Sequence, residues 1–238
     1  MHIFYTPGVQ MRQPGDAYIL NEEESKHAVR VLRLAAGDEV FLADGEGGWY
    51  TAQIDRPEPK ATVLKLLSVQ RSFEKRNHYL HIAVAPTKNI ERLEWFLEKA
   101  TEIGIDEITP LICDRSERRE VKTQRLLKVI ISAMKQSLKA YLPKLNEPVK
   151  FGSFVAAGRE GQSFIAHCMD TQRLVLREQV RPNGRYTVLI GPEGDFSVAE
   201  VQKAALAGYL PISLGNSRLR TETAALEACF EINYLNRS

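Results

Sequence analysis

Short hydrophobic runs alternate with polar turns along roughly the first seventy residues. The runs are HIFYT, AYIL, DEVFLAD, GWYTAQI and ATVLKLLSV, with turn residues between them around Asp44 and Gly48. A period of two places every second side chain on the same face of a strand. The pattern therefore predicts a small β-barrel in this part of the chain.

One helical segment, NEEESKHAVRVLRLAAG, interrupts these strands. Asn21 is a favoured N-cap, Glu24 completes a capping box three residues later, and Gly37 is a favoured C-terminal stop. Three basic or titratable residues recur at spacings of three: His27, Arg30 and Arg33. The face they are expected to share is either an RNA-binding edge or an ordinary polar helix surface.

The periodicity changes after the charged stretch RSFEKRNH (71–78). Beyond it, the runs YLHIAVAP, EITPLIC, SFIAHC, YTVLIGP and LPISLG are separated by helical stretches. Strands that alternate with helices are typical of an α/β domain with a mostly parallel sheet. We therefore predict two domains, 1–72 and 73–238.

Composition narrows the class of protein. Of 238 residues, 44% are hydrophobic and 26% are charged, which is typical of a globular protein. No run is long enough for a membrane span, and the N-terminus lacks a secretion signal, so a cytoplasmic location is expected. Cys113, Cys168 and Cys229 are far apart and have no zinc-ligand spacing, which favours buried free thiols over a disulfide or a metal site.

The net charge of +2 conceals a basic segment. Residues 115–150 contain ten lysines and arginines against three glutamates, a local excess of seven positive charges. Such a segment either attracts phosphates or is a solvated helix face.

Two hydrophobic runs in the second half of the chain break off at glycine. They are LIGPEGDFS (189–197) and ISLGNSRLRTETA (212–224). Ligands of open α/β sheets bind beyond the carboxyl ends of the strands, which is where both breaks are expected to lie. The alternative for either break is an ordinary strand-to-helix turn.

The residue types of the first break suit a close approach of backbone to ligand. Gly191 and Gly194 remove side chains, and Pro192 stiffens the turn between them. Ser197 starts the next helix with a capping box, and Thr221 is expected to cap the helix after the second break.

Known phosphate loops do not match the first break. It fits neither GxxxxGK[ST] nor GxGxxG. Glu193 and Asp195 would also repel an anion, so these acids suit a cationic or neutral ligand better.

The two breaks together carry a family resemblance. IGPEGDFS followed by LGNSRLRTETAALEA resembles the paired signature IGPEGGF(S/T) and LGxRILRxETA of the RsmE family of ribosomal RNA uridine-N3 methyltransferases, members of the SPOUT class. HAVRVLRLAAGDEV resembles the PUA-like barrel segment of that family. KNIERLEWFLEKATEIGIDEITPL resembles its first SPOUT helix and strand, so the similarity covers nearly the whole chain.

The resemblance implies an α/β SPOUT domain with a C-terminal trefoil knot, preceded by a small PUA-like β-barrel domain. It implies S-adenosylmethionine as cofactor, a homodimer, and methylation of uridine N3 in small-subunit (16S) ribosomal RNA, with no metal and no membrane. The residues it assigns to the cofactor are Ile190, Gly191, Pro192, Gly194, Leu214, Gly215, Asn216 and Leu219.

The sequence departs from the family pattern in three places. Asp195 replaces the second glycine of GPEGG, and Asn216 and Ser217 stand where other members often have proline. MKQSLKAYLP (134–143) stands where many members read like CEQCGRNRVP. The last change puts the detailed RNA or dimer contacts of that helix in doubt.

Uridine N3 carries an acidic imide proton, so methylation requires a base that receives this proton or a cation that stabilises the resulting anion. We expect Arg220 to stabilise the uridine anion, and Glu193 or Glu222 to accept the proton or orient Arg220. Alternatively, Glu193 holds the loop, Glu222 favours its helix N-terminus and Arg220 contacts phosphate. His167 either reaches the pocket edge or is a core histidine.

RNA contacts are expected from both domains. The residues assigned to RNA are His27, Arg30, Arg33, Lys88, Arg115, Arg118 and Arg119. Two other functions stay open: a non-catalytic RNA-binding or ribosome-assembly factor, which would need no cofactor loop, and a ribose 2′-O methyltransferase of the same fold.

Overall fold

The computed structural model describes residues 1–10, 12–169 and 173–237. These residues form two compact units, each with its own sheet. The first unit is Met1–Lys75 with Met134–Leu142, and the second is Arg76–Ala133 with Pro143–Ser238.

The first unit is built on a five-stranded sheet in the order β1-β3-β4-β5-β2. Its strands are β1 Ile3–Tyr5, β2 Ala17–Ile19, β3 Glu39–Ala43, β4 Trp49–Arg56 and β5 Val63–Gln70. β1 and β3 are parallel, and the other neighbouring strands are antiparallel. All five predicted strands are therefore confirmed.

One hydrophobic core lies against this sheet. Alternate residues such as Val40 and Leu42 on β3, and Leu64 and Leu66 on β5, are buried, as the period of two predicts. Phe4 on one edge strand enters the same cluster as Leu20, which follows the other edge strand. The sheet therefore curves around its core, although among the described residues β1 and β2 do not pair with each other to close a barrel.

The helix of the first unit begins at the predicted N-cap residue, Asn21, and ends early. Asn21 accepts a hydrogen bond from Glu24 N, and α1 (Glu22–Lys26) continues into a π-helical turn, His27–Val31. Leu34 N then donates to Ala28 O, and Arg33 adopts a left-handed φ of 57°. The predicted stop at Gly37 is wrong, because this local turn closes the helix first.

Segment Met134–Leu142 belongs to the first unit, although the sequence placed it within 73–238. Lys135 forms an ion pair of 2.7 Å with Glu24, and Gly47 N donates to Ala140 O. Lys135 lies at one of the positions where the chain departs from the family pattern, so this departure has a structural use within the unit.

The second unit contains a parallel sheet in the order β11-β13-β10-β12-β6-β7-β8, with β9 also paired to β7. The strands are β6 Tyr79–Val84, β7 Glu107–Ile112, β8 Lys144–Leu145, β9 Val149–Lys150, β10 Gln162–Ala166, β11 Leu174–Val175, β12 Arg185–Ile190 and β13 Leu210–Ser213. All described pairs are parallel, which confirms the predicted α/β sheet.

Helices cover both faces of this sheet. They are α2 Ile90–Ile103, α3 Thr123–Gln136, α4 Phe151–Ala156, α5 Leu176–Gln179, α6 Val198–Leu206 and α7 Thr221–Leu235, with the end of α3 in the first unit. Phe154 of α4 and Ala204 of α6 share a core with Ile165 and Leu189. α7 packs on β6, β12 and α2 instead. No helix of the described residues is long and apolar enough to cross a membrane.

The cysteines are only partly as predicted. Cys113 and Cys229 are buried free thiols, whereas Cys168 is exposed. Cys168 lies two residues beyond the end of β10, near the sheet edge where β10, β12 and β13 end.

Candidate active site

A cavity of about 980 Å³ lies at the carboxyl ends of β10, β12 and β13. This volume is at the upper end of the usual range for small-molecule sites. All residues that the sequence assigned to the cofactor line it: Ile190, Gly191, Pro192, Gly194, Leu214, Gly215, Asn216 and Leu219. Glu193 and Arg220 line it as well, and Glu222 does not.

The turn after β12 depends on the absence of a side chain at Gly191. A Cβ there would lie 3.1 Å from the ring of Phe196 and 3.2 Å from its backbone nitrogen. The buried ring thus packs directly on the glycine backbone, which turns the chain away from the sheet. Ser197 then caps α6 through a complete capping box with Glu200, as predicted.

Three hydrogen bonds hold this turn from other parts of the second unit. Glu193 Oε1 accepts from Lys88 N at 2.9 Å, and Arg115 Nη1 donates to Gly194 O at 2.8 Å. Thr221 Oγ1 donates to Gly191 O at 3.0 Å. The turn is therefore fixed before any ligand binds, and Glu193 has at least a supporting role.

Asp195 occupies the position of the second glycine of the family pattern with a left-handed φ of 60°. Glycine is the residue most at ease in this conformation, and Asp is among the few others that tolerate it. Its carboxylate accepts hydrogen bonds from Cys168 N at 2.9 Å and from Phe196 N at 2.8 Å. Asp195 therefore ties the turn after β12 to the end of β10.

The second glycine break forms the opposite wall of the cavity. Gly215 has a φ of 106°, and Ser213 Oγ donates to its carbonyl oxygen at 3.0 Å. The prediction that Thr221 caps α7 is wrong, because its hydroxyl donates to the carbonyl of Gly191 instead. Arg220 is the N-cap residue of α7, and its side chain makes no capping hydrogen bond.

Four arginines line the cavity: Arg92, Arg173, Arg218 and Arg220. Arg220 is exposed, and its side chain forms no hydrogen bond or ion pair with the described residues. Glu222 Oε1 lies 3.8 Å from Arg92 Nε, and its buried Oε2 has no partner in the described part of the chain. The structure thus pairs Glu222 with Arg92 of α2. No local sequence pattern had marked Arg92 as a site residue.

His167 is both buried and part of the cavity lining. Its side chain follows β10, and the residue is 4% exposed. Burial lowers the pKa of the imidazole below its usual value, although the nearby Asp195 acts in the opposite direction. The net lowering of the pKa favours the neutral form of the ring.

The arginines predicted to bind RNA lie beside this site and already have partners. Arg118 Nη2 donates to Lys88 O at 2.8 Å, and Arg119 Nη2 donates to Asp114 O at 3.0 Å. Lys88 Nζ forms an ion pair of 2.9 Å with Glu117. Together with Arg115, which donates to Gly194 O, these arginines hold the backbone around the cleft. Fewer of their N–H groups therefore remain available to bind phosphate.

The remaining predicted RNA residues belong to the first unit. The ring of His27 meets the ring of Phe4 edge-on at 6.5 Å, so His27 is partly engaged in packing. Arg30 and Arg33 are exposed. Because Arg33 lies beyond the helix, the three residues do not share one helix face.

Family models match both units. A model described as an RNA methyltransferase domain matches residues 74–233, and a model described as an RNA methyltransferase PUA domain matches residues 20–67. Two relatives are named ribosomal RNA small subunit methyltransferase E. The one from Synechocystis sp. is 30% identical over 88% of this chain and 70% of its own length. The one from Aquifex aeolicus is 28% identical over 95% and 96%.

Solved structures of similar proteins agree over the whole chain. A probable rRNA methyltransferase from Porphyromonas gingivalis is 39% identical with a TM-score of 0.91, covering 99% of this chain and 98% of that one. A putative methyltransferase from Legionella pneumophila, solved with bound S-adenosylmethionine, is 31% identical with a TM-score of 0.87 over 98% and 97%. A ribosomal RNA small subunit methyltransferase E from Neisseria gonorrhoeae, bound to S-adenosylmethionine, is 26% identical with a TM-score of 0.89 over 99% and 98%.

Proposed function

The chain belongs to the ribosomal RNA small subunit methyltransferase E family, and we propose that it methylates uridine N3 in 16S ribosomal RNA with S-adenosylmethionine. The observation that carries this proposal is that both glycine-broken strands end at one cleft, lined by every residue assigned to the cofactor. Relatives named for small-subunit ribosomal RNA support the substrate.

The donor groups of the cleft fit this cofactor. Gly191 and Gly215 carry no side chain at the cleft, so the adenosyl and methionyl parts of the molecule can approach the backbone closely, and the carboxylates of Glu193 and Asp195 favour a positively charged sulfur. The cofactor supplies a methyl group whose bond to sulfur breaks, leaving the electron pair on sulfur, as the bond from nitrogen to the methyl carbon forms.

We assign the substrate chemistry to Arg220 and two carboxylates. Arg220 is exposed at the cleft and has donors available, so it stabilises the uridine anion. Glu193 Oε1 is occupied by Lys88 N, and its other oxygen is available to accept the N3 proton. Glu222 acts indirectly, because it does not line the cleft and instead orients Arg92, which does.

The test of Arg220 separates chemistry from cofactor binding. Arg220→Ala should abolish methyl transfer to a small-subunit RNA substrate, with S-adenosylmethionine affinity measured by calorimetry nearly unchanged. Arg181→Ala is the matched control, because Arg181 precedes β12 and β12 spans roughly 20 Å between it and the cleft. Loss of affinity and activity together in Arg220→Ala would refute the catalytic assignment.

RNA binding involves both units in this proposal. N3 of a paired uridine is used in pairing, so the target base is unpaired or extruded. The first unit matches an RNA methyltransferase PUA domain, and His27, Arg30 and Arg33 lie in it. Lys88, Arg115, Arg118 and Arg119 lie beside the cleft. RNA affinity should fall steeply between 50 and 200 mM salt, as phosphate contacts require, and a flat response would reject this surface.

The protein is proposed to act as a homodimer. Exposed aromatic side chains on two helices of the second unit support this: Trp95 on α2, and Phe230 and Tyr234, whose rings stack, on α7. Analytical ultracentrifugation of Phe230→Glu against the unaltered protein tests this surface. An unchanged dimer, or a monomer in both proteins, would refute it.

We also propose a SPOUT-type trefoil knot and a cytoplasmic location. The path of the chain supports the knot. β13 lies two places from β12 in the sheet, yet the start of α7 returns to bond the end of β12 through Thr221 and Gly191. The location follows from the ribosomal substrate.

The substrate atom is best tested in cells. Mass mapping of small-subunit RNA from cells with and without this gene should show the loss of one base methyl at N3 of a uridine. Loss of a ribose 2′-O methyl instead would overturn the assignment, and no loss at all would favour a non-catalytic assembly factor.

A further inference from the structure

The imidazole of His167 is a buried polar group without a partner. It lines the cleft, it is 4% exposed, and neither Nδ1 nor Nε2 has a hydrogen-bond partner in the part of the chain that the structure describes. Most buried polar groups in proteins are hydrogen-bonded, so an exception at a ligand site requires a reason.

The position of His167 places it on the floor of the cleft. It follows Ala166, which pairs with Ile190 of β12 on one side and Ile212 of β13 on the other. His167 therefore lies at the end of the strand that separates the two strands that break at glycine. Its backbone is held as well, because Arg173 Nη1 donates to the His167 carbonyl at 2.8 Å.

The free energy of this arrangement favours a partner from outside the protein. A buried polar group without a partner has given up its hydrogen bonds to water and gained none in return. A half-turn about the Cβ–Cγ bond exchanges the nitrogen and carbon positions of the ring without changing its shape. A nitrogen can thus face the cleft without disturbing the packing around it.

A neutral imidazole offers one donor and one acceptor. The methionyl group carries a carboxylate and an ammonium, and burying either charge against a neutral ring is costly. The adenine edge and the ribose hydroxyls are uncharged and combine donors with acceptors, so they can pair with whichever ring nitrogen faces the cleft.

We propose that His167 recognises the adenosyl part of the methyl donor by hydrogen bonding from the floor of the cleft. This inference rests on the proposed function. The depth of the ring favours the cofactor over the uridine, because a base carried by an RNA chain must enter from the open side of the cleft. His167 is thus a specificity-determining contact and takes no part in proton transfer.

Two variants test the contact. His167→Phe removes both nitrogens and keeps a ring, whereas His167→Asn keeps one donor and one acceptor. Calorimetry on the full chain would measure Kd for S-adenosylmethionine, S-adenosylhomocysteine, adenosine and methionine. We expect His167→Phe to raise Kd for the three adenosyl compounds about tenfold, the equivalent of one lost hydrogen bond of about 1.4 kcal/mol. His167→Asn should stay within about threefold of the unaltered protein on the same scale.

Kinetics and stability provide independent readouts. In His167→Phe, the loss of kcat/KM should come mainly from a higher KM for the cofactor. Its melting temperature without ligand should not fall, because the variant removes unsatisfied buried polar groups. A fall in melting temperature would contradict the inferred cost of the free imidazole.

Several outcomes would overturn the inference. They are unchanged Kd values in His167→Phe, a loss for S-adenosylhomocysteine without one for adenosine, equal weakening in both variants, or a lower kcat at unchanged Kd. Failure of the unaltered protein to bind S-adenosylmethionine would instead refute the proposed function.

Discussion

Asp195 allows a quantitative test of how the cleft turn is held. Its left-handed backbone costs a non-glycine residue about 1–2 kcal/mol, and its carboxylate accepts from Cys168 N and Phe196 N. The Cys168 contact is exposed, so we assign each hydrogen bond about 1 kcal/mol. Asp195→Ala should therefore lower the free energy of unfolding by about 2 kcal/mol. Alanine would still pay the cost of the left-handed backbone conformation.

Asp195→Gly loses the same two bonds but relieves the left-handed conformation, so it should be about 1 kcal/mol more stable than Asp195→Ala. Asp195→Asn keeps one acceptor and should lie between the unaltered protein and Asp195→Ala. For a chain of this size, 1 kcal/mol shifts the melting temperature by about 2–4 °C.

Thermal unfolding followed by circular dichroism measures this series. The expected order of melting temperatures is the unaltered protein first, Asn and Gly next, and Ala last. Cofactor affinity should fall in Ala and Gly alike, since both release the end of β10 from the turn. Equal melting temperatures for Ala and Gly would refute the backbone argument, and four equal values would refute the hydrogen-bond argument.

Three further outcomes are expected. Glu193→Gln should lose methyl transfer while the cleft turn stays in place, because the amide oxygen still accepts from Lys88 N, and full activity would mean that Glu193 only holds the loop. Thr221→Val should lower unfolding free energy by about 1–3 kcal/mol in denaturant titrations by leaving the Gly191 carbonyl unpartnered, and unchanged stability would contradict that cost. Burial lowers the pKa of His81 from 6.5 to about 4, so the unfolded chain binds a proton here more readily than the folded one. This site should therefore contribute up to about 3 kcal/mol to the free energy of unfolding above pH 6.5, and the contribution should be lost as the pH falls toward 4. Melting temperatures of His81→Gln should lack this part of the pH dependence, and an identical profile would exclude His81 as its source.

Local sequence signals predicted much of the fold. The strands of both units, the cap at Asn21 and the capping box at Ser197 and Glu200 all agree with the structure. Both glycine breaks were also expected beyond the carboxyl ends of strands, which is where ligands of open α/β sheets bind. In these cases the information lies within a few residues of the feature itself.

The errors arise where a distant partner competes with a local preference. Thr221 is a good N-cap residue, but its hydroxyl bonds the carbonyl of Gly191 thirty residues away. Arg33 closes the first helix before Gly37 is reached, which the spacing of three did not show.

The sequence by itself determined the α/β order of the second unit, the place of the cleft and the family to which its loops belong. Only the tertiary structure decided how the cleft is held. It showed that Glu193 and Asp195 brace the turn, that Glu222 faces Arg92, and that His167 is buried without a partner. Periodicity and capping act between neighbours along the chain, whereas these contacts depend on which strand ends the fold brings together.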